Sequence, residues 1–243
     1  MKFFRRIRQA LIHNEKVGKY LLYALGEIML VVIGILLALQ VDNWNDERIE
    51  GKQRISYLES IRNDLLRDTT NFGKSIRGYQ RLIDRKKILE LTDYDSIPTS
   101  RLEFLVTPTI VENVPVRTAY LKLMNSNITR LSNNDSLSNR IHDYYTTTFA
   151  WFSNILKFDH EFTAEDTKYW THGQNEFEIE TSGLPTFQDE KERRANLIGL
   201  ISEPRGRNYL KLEYERKLGT LFAYGRMHEI ASKLIADIEQ EIR

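Results

Sequence analysis

Glu27 sits inside an apolar run, Tyr20 to Val41 (YLLYALGEIMLVVIGILLALQV), whose only other strongly polar member is Gln40. A bare carboxylate in hydrocarbon is costly, so an intramembrane carboxyl marks an ion or proton pathway by default. The quieter chemistry is a protonated carboxyl hydrogen-bonded to a neighbouring helix, or a charge drawn inward toward the headgroups. A single carboxyl with no second titratable partner in the run favours the quieter chemistry. Elsewhere, His160-Glu161 begins like a zincin helix, but Ala164 stands where the second histidine belongs, so two ligands on one helical face are not available. His142, His172 and His228 are scattered, and His160, Glu165 and His172 could meet only through a favourable turn. No G-x-S-x-G, P-loop or dinucleotide fingerprint appears. Catalytic, cofactor-binding and metal-ligating residues are therefore expected to be none, and the chain is expected not to be an enzyme.

The element that positions Glu27 is a membrane span. About 22 residues at 1.5 Å rise cross one hydrocarbon core. Lys2, Arg5, Arg6, Arg8, Lys16 and Lys19 precede the run, whereas Arg48, Lys52 and Arg54 follow it, which predicts a cytoplasmic N-terminus. Tyr20 and Tyr23 at one boundary and Trp44 past the other suit the headgroup layers. A cleaved signal would have an apolar region of about 7 to 15 residues and a small-x-small site; this run is longer and ends in Leu-Gln-Val-Asp. The expected organisation is a basic cytoplasmic segment (1–19), a transmembrane helix (20–41) and an extracytoplasmic domain (42–243). Within the span, Ala24, Glu27, Val31, Gly34 and Ala38 share one stripe among Leu, Ile and Met. Small residues let helices approach closely and a polar group can bond across the contact, so this stripe is the expected interface for self-association or another membrane protein.

Charge narrows the partners. Residues 1–19 hold six Lys/Arg and one Glu, and setting these and Glu27 aside leaves 29 basic against 32 acidic residues, about −3 for the remainder. That balance gives no footprint for nucleic acid. The segment KFFRRIRQALI places apolar residues opposite Arg5, Arg6 and Arg8, a pattern that can lie on an anionic leaflet or serve only to orient the span. The absence of cysteine fits an exported domain without bridges.

Past the membrane the period is helical. Leu58, Leu65, Phe72 and Tyr79 are spaced by sevens within a longer series starting at Ile55; a coiled coil is one reading and packing inside a bundle the commoner one. The span is expected to continue into this helix with at most a kink near Gly51. Asp95, Ser96 and Pro98 break the pattern, a short helix follows from Thr99 to Leu105, and Val106 to Val116, with Pro108 and Pro115, reads as loop or edge strand. Helices are expected from Thr118, from Asn134 or Asp135 as N-cap with Leu137, Ile141, Tyr145, Thr148, Phe152 and Ile155 buried, from Gln188 to Ser202, and from about Gly206 to the end, with Leu210, Tyr214, Leu218, Leu221, Ile230, Leu234, Ile238 and Ile242 inward. Trp170 to Phe187 reads as irregular. The fold class is all-α: one N-terminal transmembrane helix followed by an antiparallel helical bundle.

The stretches GEI…VVIGILLALQ…NW and TAYLKLMNSNITRLSNNDSLSNRIHDYY resemble a family of uncharacterised single-pass membrane proteins of the Bacteroidota. The resemblance implies an inner-membrane protein with a helical periplasmic domain and brings no activity or cofactor. Asp68-Thr69-Thr70, Asp95-Ser96-Ile97 and Asp135-Ser136-Leu137 resemble the O-glycosylation signal of exported proteins from that phylum, with Ser96, in an interhelical break, as the expected acceptor. The functional expectation is a non-enzymatic scaffold or interaction protein of the cell envelope. The alternatives are a ligand-sensing ectodomain that works with a membrane partner, since about 19 cytoplasmic residues leave no room for an output domain, and a small ion-coupled assembly using Glu27.

Overall fold

A computed structural model describes residues 17–128, 130–174, 176–180 and 183–243. The basic N-terminal stretch, with its candidate leaflet-binding pattern, lies outside the described residues. The chain is all-α: the described residues contain no strand. It divides into two compact units, Met1–Ile55 and Ser56–Arg243.

Helix α1, Val17–Lys86, contains the apolar run and passes through Gly51 without interruption. It is the one helix among the described residues long and apolar enough to cross a membrane. Residues 21–50 have exposed side chains except the half-exposed Ala24. From Leu58 onward α1 turns one face into a core: Leu58, Ile61, Leu65, Phe72 and Tyr79 are buried. The heptad-spaced residues thus pack inside a bundle of this one chain. A 3₁₀ turn, Lys87–Glu90, ends the helix.

Helix α2, Thr99–Val106, starts behind Pro98, and the segment from Thr107 to Arg117 is loop rather than strand. Helix α3 is Thr118–Met124. Helix α4, Asp135–Asp143, is capped by Asn134, whose side chain accepts from the Leu137 amide at 3.2 Å. It runs through a π-turn, Tyr144–Thr148, into α5, Phe149–Thr167. Tyr144 and Tyr145, three and four residues after the buried Ile141, both face the core at the start of that turn. A second π-turn, Lys168–His172, extends the helix past its expected end and buries Trp170, so the irregular stretch begins only at Gly173.

Helix α6, Glu190–Ser202, is capped by the Asp189 carboxylate, and α7, Pro204–Glu241, follows after Glu203 alone because Pro204 fits the first helical turn. The corner is tight: a Cβ on Gly206 would lie 1.9 Å from the Leu200 carbonyl oxygen, so glycine is required there.

Two apolar cores result. The larger joins α1 from Leu58 to Leu82 with α3, α4, α5 as far as Leu156, and α7 from Ala223 to Ile238. The smaller joins Ile88, Tyr94, Leu102, Leu105, Tyr169, Trp170, Leu197, Ile201 and Leu210. Helix α7 serves both cores, and the turns that continue α1 (Lys87–Glu90) and α5 (Lys168–His172) supply Ile88, Tyr169 and Trp170 to the smaller one.

Candidate functional site

Between the two cores the same three helices carry charge. Going along α7, Leu210 belongs to the smaller core and Ala223 to the larger; Glu213, Lys217 and Thr220 lie between them, all buried. Along α5 the intervening residues are Asp159, Thr163 and Asp166, and along α1 they are Arg85 and Lys86. These groups meet. The Lys217 ammonium donates to Asp159 Oδ1 and Oδ2 at 2.8 and 3.0 Å and to Thr163 Oγ1 at 3.0 Å, which uses all three of its protons. Asp159 also accepts from the Tyr79 hydroxyl at 2.9 Å and from Arg216 Nε at 3.1 Å. Arg216 reaches Asp166 with its second nitrogen. Lys86 Nζ donates to Glu213 Oε2 at 2.5 Å and to the Leu105 carbonyl at 3.3 Å.

Burial sets the electrostatics of this layer. It pushes the Lys86 ammonium down despite the attraction of Glu213, pushes the Asp166 carboxyl up against the pull of Arg216, and raises the Tyr79 hydroxyl, with Asp159 adding to that rise. Chemically, Asp159 and Lys217 are saturated by each other and by their neighbours, and both are fully enclosed. The layer is an internal clamp across three helices, in which Glu213 Oε1 and Arg85 Nε and Nη1 are buried without a hydrogen-bond partner.

A second polar cluster fixes the long loop. Asp64 accepts from the Ala119 amide at 2.8 Å and Asp68 from the Val116 amide at 2.7 Å, so two carboxylates one turn apart on α1 cap the start of α3 from outside it. Asp68 also accepts from the Tyr144 hydroxyl at 2.9 Å. Its carboxyl is nonetheless raised from the ordinary 3.8 to about 6: burial dominates, and the nearby Asp64 carboxylate adds to it.

The residues expected from sequence to matter lie elsewhere. Ala24, Glu27, Val31, Gly34 and Ala38 fall within an arc of roughly 80° on α1, all exposed except the intermediate Ala24, and a Cβ on Gly34 would meet nothing within 4 Å. The helix therefore does bring them to one face. Ser96 is exposed in the turn between Tyr94 and Pro98, a turn held by Arg194, which donates to the carbonyls of Tyr94 and Asp95 at 2.8 Å each and to that of Ile97 at 2.5 Å. Thr69 is half-buried and bonds back to the Leu66 carbonyl, and Ser136 is exposed in the first turn of α4. His160 faces Glu112 at 3.4 Å, whereas His172 contacts Thr171; they are not brought together with Glu165, and the described residues hold no cluster of three His, Cys, Asp or Glu able to bind a metal ion.

Two surface depressions stand beside a third of about 430 Å³ that is lined by Tyr120, Met124, Ile128 and His142. One, about 350 Å³, is an apolar groove lined by Trp151, Ile155, Phe158, Gly219 and Thr220 between α5 and α7. The other, about 630 Å³, is polar and includes Ser96, Glu180, Glu190 and Arg193. Arg193 in turn pairs with Glu103 and Glu180 at 2.8 and 2.7 Å.

The inward stripe expected along α7 takes in Tyr214, Leu218 and Leu221, all only half-buried, and omits Glu213 and Lys217, which are buried. A signal was present. The stripe Ile238, Leu234, Ala231, Met227 and Tyr224, followed backward at helical spacing, runs through Thr220, Lys217 and Glu213 to Leu210.

Residues 27–97 match the model of DUF6090, described as a family of unknown function. The match takes in most of the apolar run, the rest of α1 and the turn that holds Ser96. No curated protein matches the chain, and no solved structure does.

Proposed function

We propose that the chain is a single-pass membrane protein of a Gram-negative envelope, anchored by residues 20–41 with its N-terminus in the cytoplasm, and that its helical domain is a periplasmic interaction module rather than an enzyme. The observation that carries the reading is the contrast within α1. Its apolar length lies outside any core of this chain, which only a hydrocarbon environment would cover at low cost. Its later length is amphipathic and anchors a domain in which the buried Asp159, Lys217, Lys86 and Glu213 are engaged in pairs. The six basic residues before the run support the orientation, and the small and polar stripe supports association with a second copy or another membrane protein through the span.

The test joins topology to binding. A reporter fused after Arg243 is expected to be active only if it works in the periplasm; activity of a cytoplasmic reporter there overturns the orientation. Purification from native membranes in mild detergent is expected to yield the chain in a stoichiometric assembly, and a monodisperse monomer would sink the interaction role.

A further inference from the structure

One segment of this all-α chain is built like a strand. Six of the ten residues from Thr107 to Val116 are Thr, Ile or Val, the types that favour extended backbone. Between Pro108 and Pro115 the exposure alternates with the period of a strand: Ile110, Glu112 and Val114 are exposed, whereas Val111 and Asn113 are partly covered. The covered residues hold the segment to the domain. Val111 packs on α1 where Gly78 leaves room, since a Cβ on Gly78 would lie 3.1 Å from it. The Tyr224 hydroxyl of α7 donates to the Val111 carbonyl at 3.3 Å and accepts from the Asn113 amide at 2.9 Å, and the Asn113 side chain donates to Ser75 Oγ at 2.7 Å.

The other edge of the segment is open. Successive residues of an extended chain turn their N–H and C=O groups to opposite edges. Val111 and Asn113 turn theirs toward Tyr224, so Ile110, Glu112 and Val114 turn theirs away from the domain. Among the described residues the amides and carbonyls of these three have no hydrogen-bond partner, and no second strand is present to supply one. The stretch between α5 and α6 is different: there the amides of Glu178, Phe187 and Gln188 are taken by the Gln188 and Glu178 side chains at 2.9, 2.7 and 3.1 Å.

Taking the interaction role above as its premise, we infer that this open edge receives an extended segment of a separate protein as an antiparallel second strand, with a lysine or arginine opposite Glu112 and apolar residues opposite Ile110 and Val114. Each of the three residues can exchange a pair of backbone hydrogen bonds with the residue across from it. In strand addition of this kind the main chain supplies affinity and alternate side chains supply specificity. Charge selects the partner. In a second copy paired antiparallel about the same centre, Glu112 would stand opposite Glu112, and like charges directly opposite destabilise a ladder, whereas an opposite charge supports it. Pro108 and Pro115 cannot donate and so confine the ladder to the residues between them. Lipid and glycan bring no amide and carbonyl pairs at strand spacing.

The experiment places a photo-crosslinking amino acid at Val114 in the full-length chain in native membranes, with a second probe at Phe158 in the α5–α7 groove. From Val114 the expected product is an adduct whose crosslinked peptide, identified by mass spectrometry, belongs to another protein and carries Lys or Arg with apolar residues two positions to either side. Glu112→Pro removes an amide that has no partner within the chain and keeps a φ suited to extended backbone, so the thermal unfolding midpoint should hold while the adduct falls by about tenfold or more. Glu112→Ala keeps the amide and loses only the charge, and should lower the yield by about twofold to threefold. Ile110→Pro removes the amide at the other end of the ladder and repeats the test if Glu112→Pro lowers the midpoint. Parental yield from the proline variants, a loss with Glu112→Ala as deep as with Glu112→Pro, or an adduct to lipid, glycan or a second copy overturns the inference. Crosslinking from Phe158 with none from Val114 overturns this edge and leaves the interaction role standing, whereas no adduct from either position takes down both.

Discussion

The two apolar cores and the charged layer between them are built on the same helices and held by different physics. In the cores, Leu65, Phe72, Phe152 and Tyr224 remove apolar surface from water, a gain that is nearly indifferent to which residue meets which. In the layer, Asp159, Lys217, Glu213 and Lys86 have lost their hydration and recover it only if each charge meets its own partner. The layer is thus the selective part. Sliding α7 by one turn would leave many apolar contacts serviceable, but would carry Lys217 away from Asp159 and Glu213 away from Lys86. Specification of helix register is our hypothesis for why these charges are retained, and Lys86 with Glu213 offers the cleanest way to break the contrast. Lys86→Met alone strands a buried carboxylate and should cost about 3–5 kcal/mol in denaturant unfolding of the detergent-solubilised chain. Lys86→Met with Glu213→Met should recover most of that loss, because an apolar pair of similar volume is often neutral or better. The core control Leu65→Ala should cost about 2–5 kcal/mol with no such rescue available. If the single and double charge variants were equally stable, the layer would not be holding charge in a dry environment.

Asp68 sharpens the comparison because it is a charge set at the edge of the larger core rather than within the layer. Its carboxylate has two hydrogen-bond donors and no cation bonded to it. Burial raises it from 3.8 to about 6, so in the window between those values the folded chain holds a proton that the unfolded chain has released. Stability from this group therefore rises as pH falls from about 6 toward 4, and at neutral pH its ionisation costs on the order of 3 kcal/mol. Asp68→Asn should raise stability at pH 7 and flatten the slope across that window, since the amide oxygen still accepts from Val116. Unfolding curves for the parent and the variant at pH 4.5 and 7 check it; parallel pH profiles would show that Asp68 is not buried as described.

The apolar parts of the fold were readable from the sequence because their signal is local. Leu58, Leu65, Phe72 and Tyr79 announce a buried face by spacing alone, and Pro98 marks a helix start through its missing amide, whereas the break expected over Glu203–Gly206 is already helix from Pro204. Asn134 reads as a cap because its side chain satisfies a backbone donor three residues on. The charged layer was not readable in that way. Lys217 looks like any solvated lysine until Asp159, 58 residues earlier, is known to face it. The π-turn at Tyr144–Thr148 is equally silent, since one extra residue per turn leaves no mark in composition. As for the candidate sites, the membrane stripe was legible because it depends only on position along one helix.

The smallest expected effect concerns the span, where the question of what covers a polar stripe passes from the interior of one chain to a contact between chains. Gly34 and Ala38 lie on one face with Glu27, and space is open around Gly34. If that face is an interface, Gly34→Ile with Ala38→Ile should reduce in-membrane crosslinking severalfold by holding the backbones apart. The same change at Leu36, roughly opposite on the helix, should leave it unchanged. Glu27→Gln retains groups that can bond across the contact and should preserve assembly, whereas Glu27→Leu should loosen it. A titrating role predicts a different split, with Glu27→Gln assembling normally while function is lost, because an amide cannot exchange a proton in this range. Equal crosslinking by every variant would reduce the stripe to an anchor and leave the extramembrane domain as the sole candidate for recognition.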